Sequence, residues 1–147
     1  MKIIEYSHSA LVGKPCIIEE GFIVAMDRLC YYAIECGLKI YIVSSYRNST
    51  VVDGAIVQPA TLSNHLIGHA IDANLVDGKD FWNSKKLEGE LTGNVKKFIE
   101  AIEKDTVLRW GGRFTEKDVV HFDDSLNIRD IAKWHELYNE IRNNNIA

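Results

Sequence analysis

Two short segments of this chain hold residue types that can do chemistry together. The first is Ser63-Asn64-His65-Leu66-Ile67-Gly68-His69-Ala70-Ile71-Asp72. The second, about fifty residues further on, is Asp118-Val119-Val120-His121-Phe122-Asp123. His65, Asp72 and His121 can converge on one divalent ion as two imidazoles and a carboxylate. Three protein ligands leave the fourth position of a zinc tetrahedron open, which separates catalytic zinc sites from closed structural ones. Asp118, three residues before His121, is spaced to accept a proton from water held in that position. Asp72 adds a physical reason of its own. It falls in a segment that reads as a strand, where Asp is disfavoured. A buried carboxylate needs a partner, and a metal supplies one.

His69 competes for a place in the set. His65 and His69 are four apart, which on a helix would put both on one face, as in the HExxH zinc proteases. The residues between them are Leu66-Ile67-Gly68, with no Glu, and Gly68 disfavours a helix interior. Read as a strand, His69 to Leu75 puts His69, Ile71, Ala73 and Leu75 on one face and Ala70, Asp72 and Asn74 on the other. His69 then points away from Asp72. Glu116 and Asp123 compete with Asp118 for the role of base. Glu116-Lys117 reads as a solvated turn, and Asp123 is placed to orient a ligand imidazole. Arg47, at a strand end, is either an exposed loop arginine or a group that grips a carboxylate or polarises a carbonyl. Ser63 is placed to hydrogen-bond near the ligands. Trp110 reads as packing or as a substrate contact, and Gly111-Gly112 as a tight turn that Cβ atoms would block.

The elements that must position these groups follow from periodicity. Ile18 to Cys36 carries Ile18, Phe22, Ala25, Met26, Leu29, Ala33 and Cys36 at helical spacing, with Gly37 as a stop. Leu38 to Ser44 is β-branched and aromatic, so a strand. Asn48 to Leu62, with Gly54 and Pro59, reads as a loop over the site. Asp77-Gly78 ends the second strand. Thr92 is expected to cap a helix through Lys104, with Val95, Phe98, Ile99 and Ile102 inward. Val107 to Trp110 and Val119 to Phe122 read as short strands. A terminal helix, Ile128 to Ile141, carries Ile128, Ile131, Trp134, His135, Tyr138 and Ile141 on one stripe. The expectation is an α+β fold: one domain over residues 1–147, with helices packed on a small sheet.

Bulk properties narrow the partners. The chain has 147 residues, 46% hydrophobic and 26% charged, which suits one globular domain with a real core. A net charge of −4 without a basic run argues against nucleic acid. Cys16, Cys30 and Cys36 form no metal-finger spacing and read as free thiols, which suits synthesis in a reducing compartment. No stretch approaches the roughly 20 apolar residues of a membrane span, so membrane insertion is not expected. The N-terminus lacks the features of a signal peptide.

The two segments resemble the zinc D-Ala-D-Ala peptidase family, which includes VanX- and VanY-like carboxypeptidases and short phage endolysins that cut L-Ala-D-Glu bonds. The family pattern Ser-x-His-x-x-Gly-x-Ala-x-Asp is met by Ser63, His65, Gly68, Ala70 and Asp72. Its Trp-Gly-Gly element, acid and His-Phe-acid triplet are met by Trp110-Gly111-Gly112, Asp118 and His121-Phe122-Asp123. Its upstream Tyr-Arg is met by Tyr46-Arg47. The chain departs from the family at Arg113 and Phe114, at Val120, and in having Asp rather than Glu at position 123. These departures bear on substrate preference. The resemblance implies a mainly antiparallel sheet whose face holds zinc bound by His65, Asp72 and His121, with Asp118 as base and Arg47 in the cleft. It implies a peptidase acting on the stem peptides of bacterial peptidoglycan, with cleavage within the stem favoured over D-Ala-D-Ala carboxypeptidase or dipeptidase action. The missing signal sequence then suggests a protein made in the bacterial cytoplasm that acts in the periplasm or wall. A holin or a secretion system would deliver it, and an immunity protein would guard the producer. A zinc-bearing binding module like the Hedgehog signalling domain is the reading from another class, and Asp118 speaks against it.

Overall fold

The computed structural model describes residues 2–48 and 62–146. Apart from its two end residues, the loop expected from Asn48 to Leu62 lies outside them. The strands are β1 (Ile3–Tyr6), β2 (Leu11–Gly13), β3 (Cys16–Glu19), β4 (Lys39–Ser44), β5 (Ala70–Asp77), β6 (Asp80–Trp82), β7 (Arg109–Trp110) and β8 (His121–Asp123). The helices are α1 (Ile23–Glu35), α2 (Ser84–Glu88), α3 (Gly93–Lys104), α4 (Leu126–Arg129) and α5 (Ile131–Ile146). β1 and β3 form an antiparallel ribbon. The main sheet runs β2-β4-β5-β8-β7, with β6 also paired to β5. Among the described residues only the β2–β4 pair of this sheet is parallel; its other pairs are antiparallel. The fold is therefore the α+β arrangement expected from the sequence.

β5 is the strand on which the rest is hung. Ile71, Ala73 and Leu75 face inward and are fully buried, while Asp72 and Asn74 alternate to the other face. The inner face meets α1 and α3 through Met26, Leu29, Val95, Phe98, Ile99 and Ile102, as the helical spacing of those residues anticipates. Gly78 and Lys79 turn the chain between β5 and β6, and Gly78 takes a left-handed φ of 60° there. β8 lies beside the start of β5 and pairs His121 with Asp72. β4 lies on the opposite edge and pairs Ser44 with Asp72 across a register shift.

A second, smaller cluster holds the ligand-bearing turn from behind. Leu66 and Ile67, in a single 3-10 turn over Asn64–Ile67, pack against Leu126 and against Trp134, Leu137 and Ile141 of α5. Each buried aliphatic side chain contributes roughly 1.5–3 kcal/mol, so the turn is anchored by its apolar residues, while Asn64 ties it to Asn127 and His65 faces the site. Gly68 closes the turn in the left-handed region, at φ 72°, and a Cβ there would sit 2.5 Å from the Glu19 backbone nitrogen.

Several elements differ from the sequence reading, each for a local reason. The helix expected from Ile18 begins at Ile23, because Cys16–Glu19 pairs with Ile3–Tyr6 as a ribbon. Ile18 is buried in either arrangement, so its apolarity could not separate them. The strand expected from Val107 begins at Arg109, because the amides of Val107 and Leu108 donate to Asp105 Oδ1 and form a turn. Thr92 precedes α3 as expected but makes no side-chain capping bond. The terminal helix is broken at Asp130, whose carboxylate accepts from the Lys133 amide at 3.1 Å and so starts α5 afresh. That break turns Ile128, Ile131 and His135 to solvent and leaves Trp134, Leu137 and Ile141 as the buried stripe. β6 and the short α2 were not anticipated.

Candidate metal centre

The three proposed ligands arrive from three different places. His65 sits in the 3-10 turn, Asp72 near the start of β5 and His121 at the start of β8. Nε2 of His65 is 3.1 Å from Oδ1 of Asp72, and Nδ1 of His121 is 3.2 Å from the same His65 nitrogen. Nδ1 of His121 lies 3.7 Å from Asp72 Oδ1. Bonds of about 2.0–2.1 Å to one tetrahedral ion would space its ligands roughly 3.3 Å apart, so the three atoms are spaced to bind one. Among the described residues, these three are the group of His, Cys, Asp and Glu close enough to hold a metal.

The far sides of both rings fix which nitrogens face inward. His65 Nδ1 is 2.7 Å from the Ser45 carbonyl oxygen, which only accepts, so that nitrogen carries the proton and Nε2 presents a lone pair. His121 Nε2 donates to Asp123 Oδ2 at 2.6 Å, leaving Nδ1 for the centre. Arg109 in turn holds Asp123 with two bonds, of 3.0 and 2.7 Å. Partners behind ligand imidazoles orient them and raise their basicity. Two imidazole lone pairs and a carboxylate oxygen thus converge, and a cation between them relieves their mutual repulsion. This donor set fits zinc: nitrogen and oxygen ligands, three in number.

The electrostatics agree. Burial would raise the Asp72 carboxyl, but His121 and His65 outweigh it and hold it well below the usual range. Burial would lower His121, but Asp123 and Asp72 outweigh it and push it up to about 9. Without metal, a proton on His121 Nδ1 therefore takes the place of the cation. Asp118 stands at the edge, its Oδ2 4.0 Å from His121 Nδ1 and about half of its side chain exposed. Burial and the nearby Asp72 carboxylate raise its pKa, against the lowering pull of His121, His65 and Arg47.

The backbone that delivers Asp118 needs Gly111. The Asp118 amide donates to the Gly111 carbonyl at 2.9 Å, and a Cβ on Gly111 would collide with the Asp118 carbonyl oxygen. At Gly112 a Cβ would strike the Trp110 ring. Trp110 itself is buried and donates Nε1–H to the Val119 carbonyl at 2.7 Å, so it braces the loop from the core side. Arg47 reaches the other flank, with Nη2 3.8 Å from Asp72 Oδ2 and its amide bonded to the His65 carbonyl. Ser63 accepts from the His65 amide at 3.2 Å and so caps the ligand turn. Glu116 is exposed.

His69 turns away, as the strand alternation requires. It lies buried between Glu19 (2.8 Å) and Asp124 (2.7 Å) and so clasps β3 to the loop after β8. Burial would lower its pKa, but Asp124 and Glu19 outweigh it and push it up to about 9. The sequence reading missed the residues that touch the ligands from behind or above. The Ser45 carbonyl carries no side-chain signal. Ser44 donates to Asp72 Oδ2 at 2.9 Å, but its place depends on strand register. Arg109 was also missed; it lies over the ring of Phe114, which the sequence reading named only as a departure bearing on substrate preference and which stands 5.5 Å from the His121 imidazole.

Residues 57–124 match a family model described as D-alanyl-D-alanine carboxypeptidase. The match holds His65, Asp72, Asp118 and His121, and it bears out the resemblance read from the motifs. The protein is accordingly a peptidase, of a metallopeptidase type, with a His–His–Asp set placed to bind the metal. Among curated proteins none matches the chain. The chain is also similar to the solved structure of Serratia marcescens L-Ala D-Glu endopeptidase ChiX, at 16% identity and a TM-score of 0.45, over 75% of this chain and 82% of that one.

Alanine at His65, Asp72 or His121 is expected to abolish stoichiometric metal binding, read by elemental analysis. His69→Ala is expected to keep the metal and lose stability. The His69 pKa is raised on folding, so its contribution is complete below about pH 6.5 and lost as pH rises through about 9. The melting-temperature gap between wild type and His69→Ala should therefore narrow over that window. Metal affinity should climb with pH up to about 9, because the ion must displace the His121 proton. Competition against a chelator at several pH values measures this, and a flat profile would contradict it.

Proposed function

We propose that this protein is a zinc peptidase that cuts the peptide stems of bacterial peptidoglycan, within the stem. The observation that carries the reading is the three-ligand centre with a free carboxylate, Asp118, at its edge. A binding module has no use for such a carboxylate; a hydrolase does. When bound by His65, Asp72 and His121, zinc supplies a Lewis acid and acidifies water in its open position.

The chain's own groups supply the rest. Asp118, half-exposed and made more basic by burial and by Asp72, accepts a proton from the attacking water and returns it to the leaving amine. Arg47, beside Asp72, presents its guanidinium to the oxygen that becomes negative as the carbonyl turns tetrahedral. Arg109 and Asp123 keep the His121 ring from rotating. No serine or cysteine nucleophile is needed. The cysteines Cys16, Cys30 and Cys36 are free thiols, and burial pushes Cys16 up to about 12 and Cys30 up to about 11, so neither presents a thiolate.

The substrate lies in the periplasm or wall, so the reading includes delivery there, by a holin or a secretion machine, with an immunity protein in a producing cell. Among the described residues no helix is long and apolar enough to cross a membrane. The carboxypeptidase description of the matched family supports a second reading, removal of the terminal D-Ala. In that case Arg47 would grip the terminal carboxylate.

Asp118→Asn should retain zinc and lose on the order of 10²-fold or more in kcat, the usual size of a general-base contribution. Glu116→Ala should be close to neutral. Mass spectrometry of defined muropeptides, with free and amidated C-termini, separates the two readings. Cleavage of both forms supports cutting within the stem, whereas release of D-Ala alone, abolished by amidation, would replace it with the carboxypeptidase reading. Wild-type turnover in Asp118→Asn would remove the base assignment.

A further inference from the structure

Strand β4 changes register one residue before it meets the site. Its pairs with β5 run Lys39 with Val76, Ile40 with Leu75, Tyr41 with Asn74 and Ile42 with Ala73, and the next step would set Val43 opposite Asp72. Ser44 stands there instead. In strict alternation Ser44 would follow Ile40 and Ile42, which are buried, onto the inner face. The extra residue turns it over to the face that carries the ligands, and bulges beside reacting centres commonly re-aim a side chain in this way.

The slip is pinned on both sides. Before it, the Ile42 carbonyl accepts from the Lys14 amide at 2.9 Å. After it, Ser45 Oγ accepts from the Ile17 amide at 2.9 Å, and the Tyr46 amide donates to the Ile17 carbonyl at 3.0 Å, so β3 fixes the chain beyond the bulge. The two oxygens of Asp72 then have different surroundings. Oδ1 lies 3.1 Å from His65 Nε2 and 3.7 Å from His121 Nδ1, at the centre. Oδ2 accepts from the Ser44 hydroxyl at 2.9 Å and lies 3.8 Å from Arg47 Nη2.

We infer that Ser44 is a positioning residue that restricts Asp72 to one ligand oxygen: its hydroxyl holds Oδ2 off the ion, so the carboxylate binds through Oδ1 and the fourth position stays open. The inference rests on the metal-peptidase reading and names the residue that keeps that site open. A carboxylate binds a cation through one oxygen or through both. Beside two imidazoles, its second oxygen would take the place that a catalytic zinc site leaves for solvent and then for the substrate carbonyl. Arg47 is beyond hydrogen-bond distance of Oδ2, and in the proposed reaction its guanidinium serves the developing oxyanion. The Ser44 hydroxyl is the partner at bonding distance and remains on Oδ2 when Arg47 is engaged. A hydroxyl that only solvated or oriented the carboxylate would behave differently on removal. Its loss would weaken metal binding, roughly 10–100-fold for a partner behind a ligand, and would leave the number of donors unchanged.

The zinc and cobalt(II) forms of Ser44→Ala test this without substrate. X-ray absorption should find a four-coordinate ion in wild type and a five-coordinate one in Ser44→Ala. The cobalt(II) form of the variant should lose visible absorption, because higher-coordinate cobalt(II) absorbs more weakly than tetrahedral cobalt(II). Competition with a chelator should show zinc held at least as tightly as in wild type, since a donor is gained. On muropeptides the variant should lose about tenfold or more in kcat. Ser44→Thr, which keeps the hydroxyl, should restore the wild-type cobalt spectrum. Ser44→Val, matched to Thr in shape, should behave as Ser44→Ala does. Val43→Ala, at the other residue of the bulge, should leave the spectrum as it is. A wild-type cobalt spectrum in both Ser44→Ala and Ser44→Val would overturn the inference. So would zinc binding weakened 10–100-fold with the donor number unchanged, or an Asp72 that binds through both oxygens in wild type. The peptidase reading fails by a separate result, no muropeptide cut by zinc-loaded wild type, and the coordination measurements decide the role of Ser44 in that case too.

Discussion

A carboxylate within the central strand is the constraint around which this fold is arranged. Asp72 is largely buried and held anionic, at a position where a strand ordinarily carries an apolar or β-branched residue. A lone buried charge is costly enough that it would be protonated instead. The surrounding strands meet this demand. β8 brings His121 directly opposite, β4 brings the Ser44 hydroxyl, and the turn before β5 brings His65. Register, more than any single contact, makes the site: sliding β8 by one residue would put Phe122 in the cluster and His121 in the core.

Around that centre the supports are stiff on one side and open on the other. A backbone carbonyl and an arginine-held carboxylate lock the two rings, and α5 backs the ligand turn through Leu66 and Ile67. Among the described residues, Asp118 and Arg47 stand on the solvent side. Rigid ligands beside an open position are what hydrolysis at a metal requires, since the reacting water and carbonyl must enter where the protein supplies no fourth ligand. The buried Glu19–His69–Asp124 clasp adds rigidity without adding a ligand.

The site was more legible in the sequence than the fold was. The family resemblance, together with residue types and spacing, picked out His65, Asp72, His121 and Asp118, which the structure brings together, and strand alternation turned His69 away. These groups are legible because few side chains can do their chemistry. Asp123 could be read as an orienting group because it follows a ligand by two. The partners that complete the picture were not legible: the Ser45 carbonyl has no side-chain signature, and Arg109 finds Asp123 only through the β7–β8 pairing. Element boundaries slipped where apolar residues serve either structure equally, as at Ile18, or where an aspartate side chain diverts the backbone, as at Asp105 and Asp130. The contact between Tyr41 and Phe81 became visible only with register, because the two rings are forty residues apart in sequence.

A crystal structure of the zinc-loaded protein tests the central claim most directly. The account predicts one ion held by His65 Nε2, Asp72 and His121 Nδ1 at about 2.0–2.2 Å, with solvent in the fourth position and Asp118 within hydrogen-bond reach of that solvent. An ion bound through His69 or a cysteine, or a fourth protein ligand closing the site, would contradict it.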